Sequence, residues 1–81
     1  MVGTEPSIRT LKQARTARML TVRGLAAKAG VSVAATHEAE TGKRRPHFAT
    51  IKRLSDALGV EPESIAEFRA VLFGEDERER A

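Results

Sequence analysis

Hydrophobic residues recur along most of the chain at the three- and four-residue spacing that is typical of amphipathic helices. This pattern predicts five helices, and no run of alternating polar and apolar residues indicates a strand. Pro6 and Ser7 give a helix-start signal before Ile8, and a first helix is predicted from there to about Met19. The other predicted helices cover residues 22–29, 33–41, 48–58 and 62–72, so the chain is expected to be all-α.

Short start and stop signals separate the second helix from the third. Thr21 and Ser32 are suitable N-caps, and Gly30 and Gly42 follow the two helices at the position that favours a positive φ. A three-residue turn with a glycine between two short helices is typical of a helix-turn-helix unit. An ordinary corner of a small helical bundle has the same spacing, so the turn alone leaves both interpretations open.

The composition fits a single globular domain. Aromatic residues make up only 4% of the 81 residues, so the core should be small and aliphatic. The absence of cysteine excludes disulfides and thiolate zinc sites. The chain has no apolar run of ~20 residues and no signal-peptide pattern, so a cytoplasmic location without membrane attachment is expected. Residues 7–73 are predicted to form the domain, between a flexible stretch at 1–6 and a charged, disordered tail at 74–81.

The net charge of +3 is unevenly distributed along the chain. Residues 9–53 hold eleven lysines and arginines but two acids, which gives +9, whereas residues 54–81 hold three basic and eight acidic residues, which gives −5. A basic body with an acidic end indicates an anionic partner on one side, and an unevenly charged, solvated surface is the alternative.

The sequence holds no assembled catalytic or metal-binding constellation. Its two histidines, His37 and His47, have neither cysteines nor clustered carboxylates beside them. His37-Glu38 matches half of a zinc-protease helix motif, but position 41, where the second histidine would stand, is Thr41. No glycine-rich phosphate loop is present. We therefore expect no enzymatic activity, no cofactor and no metal.

Several short motifs follow one another in the stretch from Leu11 to Ile65. They are Leu25-Ala26, Gly30-Val31-Ser32, Glu40-x-Gly42-Lys43, Pro46 and Leu54-x-x-Ala57-Leu58-Gly59-Val60. In this order and spacing the chain resembles the Cro/C1-type helix-turn-helix family, also called the XRE or phage-repressor class. The resemblance implies a compact five-helix bundle with a lambda-repressor-like DNA-binding fold, in which the third helix enters the major groove.

Two sets of residues are then expected at the DNA. The base-reading set, on the exposed half of the third helix, is Ser32, Val33, Ala34, His37 and Glu38. Val33 and Ala34 can touch thymine methyl groups and Glu38 can accept from cytosine N4, whereas His37 is equally well explained as an exposed polar residue. The phosphate-contacting set, at helix N-termini and in the basic loop, is Thr21, Arg23, Thr41, Lys43, Arg44, Arg45 and His47.

The resemblance also implies a structural ion pair between Arg15 and Glu40. We expect it to be partly buried, and a solvated pair is the alternative. Three positions depart from the family pattern. Val22 replaces a glutamine that often contacts phosphate, Gly24 lies inside the second helix, and Met19 stands where glycine is frequent.

The fifth helix can cover a core without Val71 and Phe73. They are predicted to form a dimer patch, or to fold back onto the domain. The resulting hypothesis is a sequence-specific, double-stranded-DNA-binding transcriptional regulator, a homodimeric repressor that is associated with the nucleoid. The alternative is an antitoxin or accessory module on the same fold that binds a partner protein through its acidic C-terminal part.

Overall fold

The computed structural model describes residues 8–74, and within this range it contains helices and no strand. The all-α fold class is thereby confirmed, and the second and third helices have the bounds that the sequence predicts. The predicted flexible stretch at 1–6 and all but the first residue of the predicted tail lie outside the described residues. In chain order the elements are α1 (Leu11–Ala17), α2 (Val22–Ala29), α3 (Val33–Thr41), α4 (Phe48–Leu58), a 3-10 turn (Pro62–Ser64) and α5 (Ala66–Leu72).

The core is aliphatic apart from one phenylalanine. Phe68 of α5 is fully buried, whereas Phe48 and Phe73 are 66% and 57% exposed. The apolar pattern of α4 therefore does not extend to its first residue, because Phe48 lies at the rim of the core beside Pro46 and Val71. The buried hydrophobic residues are Leu11, Ala14, Leu25, Ala26, Ala39, Ile51, Leu54, Leu58, Ile65 and Phe68.

The first helix starts later than predicted, at Leu11. Thr10 forms a capping box there: its hydroxyl accepts from the Gln13 backbone N–H at 3.1 Å, and the Gln13 side-chain oxygen accepts from the Thr10 N–H at 2.9 Å. Ile8 precedes the helix and is half exposed. The predicted start near Pro6 and Ser7 was wrong, because the capping box at Thr10 begins the helix later in the chain.

The fifth helix also starts later than predicted. The turn Pro62–Ser64 is 3-10, Ile65 is extended (φ −103°, ψ 122°), and α5 begins after it. The interruption has a long-range cause. The Arg9 N–H donates to the Ser64 carbonyl at 2.9 Å, and the Ala66 N–H donates to the Arg9 carbonyl at 2.7 Å. This short parallel pairing joins the beginning of the domain to α5.

The connection between α1 and α2 contains a non-glycine residue with positive φ. The helix ends at Ala17, two residues before the predicted end, and Met19 adopts φ 58° with its side chain 91% exposed. For a residue with a Cβ this conformation is unfavourable. It explains in physical terms why glycine would suit this position.

Candidate nucleic-acid interface

The second and third helices meet in a tight turn. Gly30 adopts φ 73° and ψ 32°, in the left-handed region that glycine tolerates best. The N–H groups of Gly30 and Val31 donate to the Ala26 carbonyl at 2.9 and 3.0 Å, which closes α2. Ser32 is the N-cap of α3, and its hydroxyl accepts from the Ala35 N–H at 2.9 Å. The turn thus holds α3 at a defined angle to α2.

Both faces of α3 combine apolar and polar residues. The inward face buries Thr36 completely and Ala39 almost completely. The Thr36 hydroxyl donates to the Ser32 carbonyl at 3.0 Å, so this buried polar group is satisfied. The exposed residues of α3 are Val33, Ala34, His37 and Thr41.

An ion pair fastens α3 to α1. Nε and Nη2 of Arg15 donate to the two carboxylate oxygens of Glu40 at 2.5 and 3.2 Å, and Nη1 donates to the Leu20 carbonyl at 2.8 Å. The Arg15 and Glu40 side chains are 11% and 8% exposed. The pair therefore lies at the edge of the core, where its geometry is bidentate and little solvated.

Among the residues that were expected to read bases, Glu38 differs most from the prediction, because it pairs with an arginine. Its side chain is 28% exposed, and one carboxylate oxygen lies 3.4 Å from Nε of Arg44, which follows α3 in the basic loop. The pairing reduces the repulsion that this carboxylate would exert on a polyanion. It also engages a group that was expected to accept from cytosine.

The expected phosphate contacts at the start of α2 lie on an N-cap. The Thr21 hydroxyl accepts from the Gly24 N–H at 2.9 Å, and Arg23 is exposed in the first turn. A Cβ built on Gly24 would lie 3.2 Å from the Thr21 hydroxyl oxygen, so a side chain there would crowd the cap. Val22, the first residue of α2, is half-buried.

The remaining expected contacts converge between α3 and the N-terminus of α4. A hollow of about 60 Å³ is lined by Glu38, Arg44, Arg45 and His47, together with Thr50. His47 is the N-cap of α4 but its side chain makes no capping hydrogen bond. The His47 side chain therefore leaves the first-turn N–H groups of α4 uncapped, and such groups are suited to an anion. Thr41 and Lys43 are exposed at the C-terminal end of α3, and the Lys43 N–H donates to the Thr41 hydroxyl at 3.3 Å.

Val71 and Phe73, which were predicted to form one patch, lie on different sides of α5. Val71 lines a groove of about 410 Å³ between α5 and the loop after α3. Phe73 instead packs under Arg69, whose guanidinium lies 5.0 Å from the ring centre. Residues that are two positions apart on a helix are separated by a rotation of about 200°. The different directions of Val71 and Phe73 therefore follow from helical geometry.

Three residues of this region escaped the sequence reasoning. Arg53 of α4 donates to the Gly30 carbonyl at 3.2 Å and supports the turn. Thr50 lines the small hollow, and Phe48 is exposed beside Pro46. For Thr50, the position near the N-terminus of α4 could have suggested a place at the hollow. The positions of Arg53 and Phe48 depend on contacts between distant elements and could not be predicted.

Residues 8–74 contain no cluster of three or more histidine, cysteine or acidic side chains that could hold a metal ion. No helix in the same part of the chain is long and apolar enough to cross a membrane.

A protein-family model described as a helix-turn-helix domain matches residues 9–68 of the chain. The match includes α1 to α4 entirely and ends at the buried Phe68 of α5. No match was found among curated proteins or among solved structures.

Proposed function

The chain belongs to the helix-turn-helix domain family, and we propose that it is a sequence-specific transcriptional regulator that binds double-stranded DNA. Domains of this kind place their second helix, here α3, in the major groove. They are DNA-binding modules, not catalytic ones. The protein acts as a repressor that occupies an operator in the cytoplasm, at the nucleoid.

The observation that carries this proposal is the exposed face of α3 between two cationic N-termini. Thr21 and Arg23 stand at the start of α2, and the cationic loop with His47 stands at the start of α4. Both ends offer backbone N–H groups and positive charge to phosphates, whereas α3 itself has neither lysine nor arginine. Phosphate contacts would thus position the domain, and the α3 face would read the bases.

The salt dependence of binding has an expected size. Lys28, which is exposed in the last turn of α2, can add to this set. If Arg23, Lys28, Lys43, Arg44 and Arg45 each neutralise one phosphate, log K falls with log salt at a slope of about −4.5. The assay is fluorescence anisotropy with a random-sequence duplex and with the protein's own upstream region, each across a salt series. A regulator should prefer the upstream site by about a thousandfold or more.

Charge reversal supplies the matched test. Lys43→Glu with Arg45→Glu should abolish specific binding, since two phosphate contacts become repulsive. Arg9→Glu with Lys12→Glu changes the net charge equally, at exposed positions on and before α1, and should leave most of the affinity intact. Equal losses in the two double variants would show that the protein responds to net charge alone and would overturn the proposed orientation.

The homodimer is part of the same proposal. One small module binds weakly, and two copies on half-sites about one DNA turn apart combine their contacts. Because Val71 and Phe73 face different ways, each is tested separately. The substitution at the residue that lies in the interface, Val71→Ser or Phe73→Ser, should convert the dimer to a monomer. Sedimentation velocity measures this change.

The groove between α5 and the basic loop favours a second candidate function. It is lined by apolar Ala39, Pro46, Ala70 and Val71, with Arg44 and Arg45 at its side, and could receive a segment of a partner protein. In this case the chain is an antitoxin or accessory module, with the acidic C-terminal part as a further contact. The Lys43→Glu/Arg45→Glu variant would then lose DNA binding but retain its partner in pull-down.

A further inference from the structure

We propose that α3 recognises its operator through the C5-methyl groups of pyrimidines, so that 5-methylcytosine is bound in preference to cytosine at the contacted positions. This inference rests on the proposed DNA-binding function. It deepens that function by naming the chemical group that is read.

The first observation is that the exposed face of α3 begins with two apolar residues, Val33 and Ala34. Its inward face buries the hydroxyl residue Thr36 without exposure, whereas its outer face leaves Val33 38% exposed and Ala34 exposed beside it. The core is complete without these two side chains. They stand on the first turn of α3, the part of a recognition helix that lies closest to base edges.

The second observation is that three polar side chains around this apolar pair make contacts within the protein, whereas His37, one turn further along α3, is exposed. The Ser32 hydroxyl accepts from the Ala35 N–H, the Thr36 hydroxyl donates to the Ser32 carbonyl, and the Glu38 carboxylate pairs with Arg44. These contacts occupy one acceptor site of Ser32, the buried Thr36 hydroxyl and one carboxylate oxygen of Glu38, so they compete in part with hydrogen-bond readout at these positions. The methyl groups of Val33 are free of such competition.

The third step is the match to the groove. Among the four base pairs, the only apolar group that faces the major groove is the C5-methyl of thymine, and 5-methylcytosine carries the same group at the same position. The side chains on the first turn are small, which allows the α3 backbone to approach the groove floor closely. The cationic loop and the α2 N-terminus supply the attraction that these apolar residues lack.

The expected effect follows from the burial of one methyl group. Removing it should weaken binding about fourfold at each contacted position. The effect should be local to the bases under Val33 and Ala34, and it should not change with salt, because no charge is altered.

The experiment begins with selection of a preferred duplex from a random library. Each thymine of that duplex is then replaced singly by deoxyuridine, which differs by the C5-methyl alone. In a second series a contacted T·A pair is replaced by C·G, with or without a methyl on the cytosine. We expect about a fourfold loss for deoxyuridine at one or two positions per half-site, and about a fourfold gain for 5-methylcytosine over cytosine there.

Protein variants show whether the methyl effect belongs to α3. Val33→Thr keeps the side-chain shape but exchanges one methyl for a hydroxyl, and Ala34→Ser adds a hydroxyl on the same turn. Both should remove most of the deoxyuridine effect at their own position. Ala66→Ser, at an alanine of α5 that is also exposed, should leave it unchanged. Thermal melts of each variant verify folding. If one of the two α3 variants does not fold, the other one alone serves as the test.

The outcomes separate the two proposals. If no duplex is preferred over random DNA, the proposed function fails. If a duplex is preferred but deoxyuridine and 5-methylcytosine have no effect at any position, the DNA-binding function stands and the methyl-reading inference is overturned. A methyl effect that persists in both Val33→Thr and Ala34→Ser would also overturn it, since the effect would then arise elsewhere than at these two side chains.

Discussion

Removal of one partner of the Arg15–Glu40 pair should destabilise the domain severely. The guanidinium makes three hydrogen bonds, two to Glu40 and one to the Leu20 carbonyl, and both charged side chains are about nine-tenths buried. Glu40→Ala would leave the guanidinium charge buried with one remaining contact, at a cost of about 3–5 kcal/mol in the free energy of unfolding. A chain of this length has about 4–12 kcal/mol in total, so the variant should lie near its unfolding threshold.

A double-mutant cycle isolates the pair from general packing loss. Its corners are the unchanged protein, Arg15→Met, which retains the aliphatic stem, Glu40→Leu, and the double variant, in which both charges are replaced by apolar groups of similar volume. Because an apolar pair needs no hydrogen bonds, the double variant should recover much of the loss, with a coupling energy of about 2 kcal/mol or more. Urea unfolding followed by far-ultraviolet circular dichroism measures each corner of the cycle.

The Lys52–Asp56 pair on α4 is the matched control. Its two charges are 3.2 Å apart, but the side chains are 77% and 69% exposed. The same cycle there should give a coupling energy of about 0.3–0.5 kcal/mol. If the Arg15–Glu40 coupling were equally small, the pair would be behaving as a solvated one, and the reasoning from burial would be refuted.

Three further changes test local features of the fold by the same unfolding measurement. Met19→Gly should stabilise the protein by about 1 kcal/mol, because it relieves a positive φ at a side chain that packs against little; a loss of stability would contradict this. Ser55→Ala should be neutral or stabilising by up to about 1 kcal/mol, since the Ser55 hydroxyl is buried without a hydrogen-bond partner in the described part of the chain; a loss above this size would indicate a hidden partner. Thr10→Ala should cost about 1 kcal/mol through the lost capping box; no measurable loss would show that long-range bonds hold this end, namely the Arg9 pairing and the bond from the Leu11 N–H to the Glu67 carboxylate at 2.8 Å.

Local signals in the sequence were sufficient for the helix-turn-helix unit. Thr21 and Ser32 cap their helices by hydrogen bonds to residues three positions later, and Gly30 and Gly42 end them with a positive φ. Each of these interactions spans only a few residues. The bounds of α2 and α3 could therefore be predicted without knowledge of the fold.

The site was predictable only in part, since the exposure of a residue follows from helical periodicity but its partner does not. The outward positions of Val33, Ala34 and His37 follow from their spacing relative to Thr36 and Ala39. The pairing of Glu38 with Arg44 depends on the path of the loop after Gly42 and was not predicted. The same loop path creates the hollow in which His47 and Thr50 meet the basic residues.

The sequence by itself determined the number of helices, the turn between α2 and α3 and the aliphatic character of the core, because each depends on short-range periodicity, capping and composition. The start of α1 is set locally, by the capping box of Thr10 and Gln13, but tertiary structure decided where α5 begins, since the backbone of Arg9 pairs with residues 64 and 66. It also decided that Phe68 is buried while Phe48 and Phe73 are exposed. Hydrogen bonds and burial between distant segments exist only once the chain has folded, and no pattern within one segment contains them.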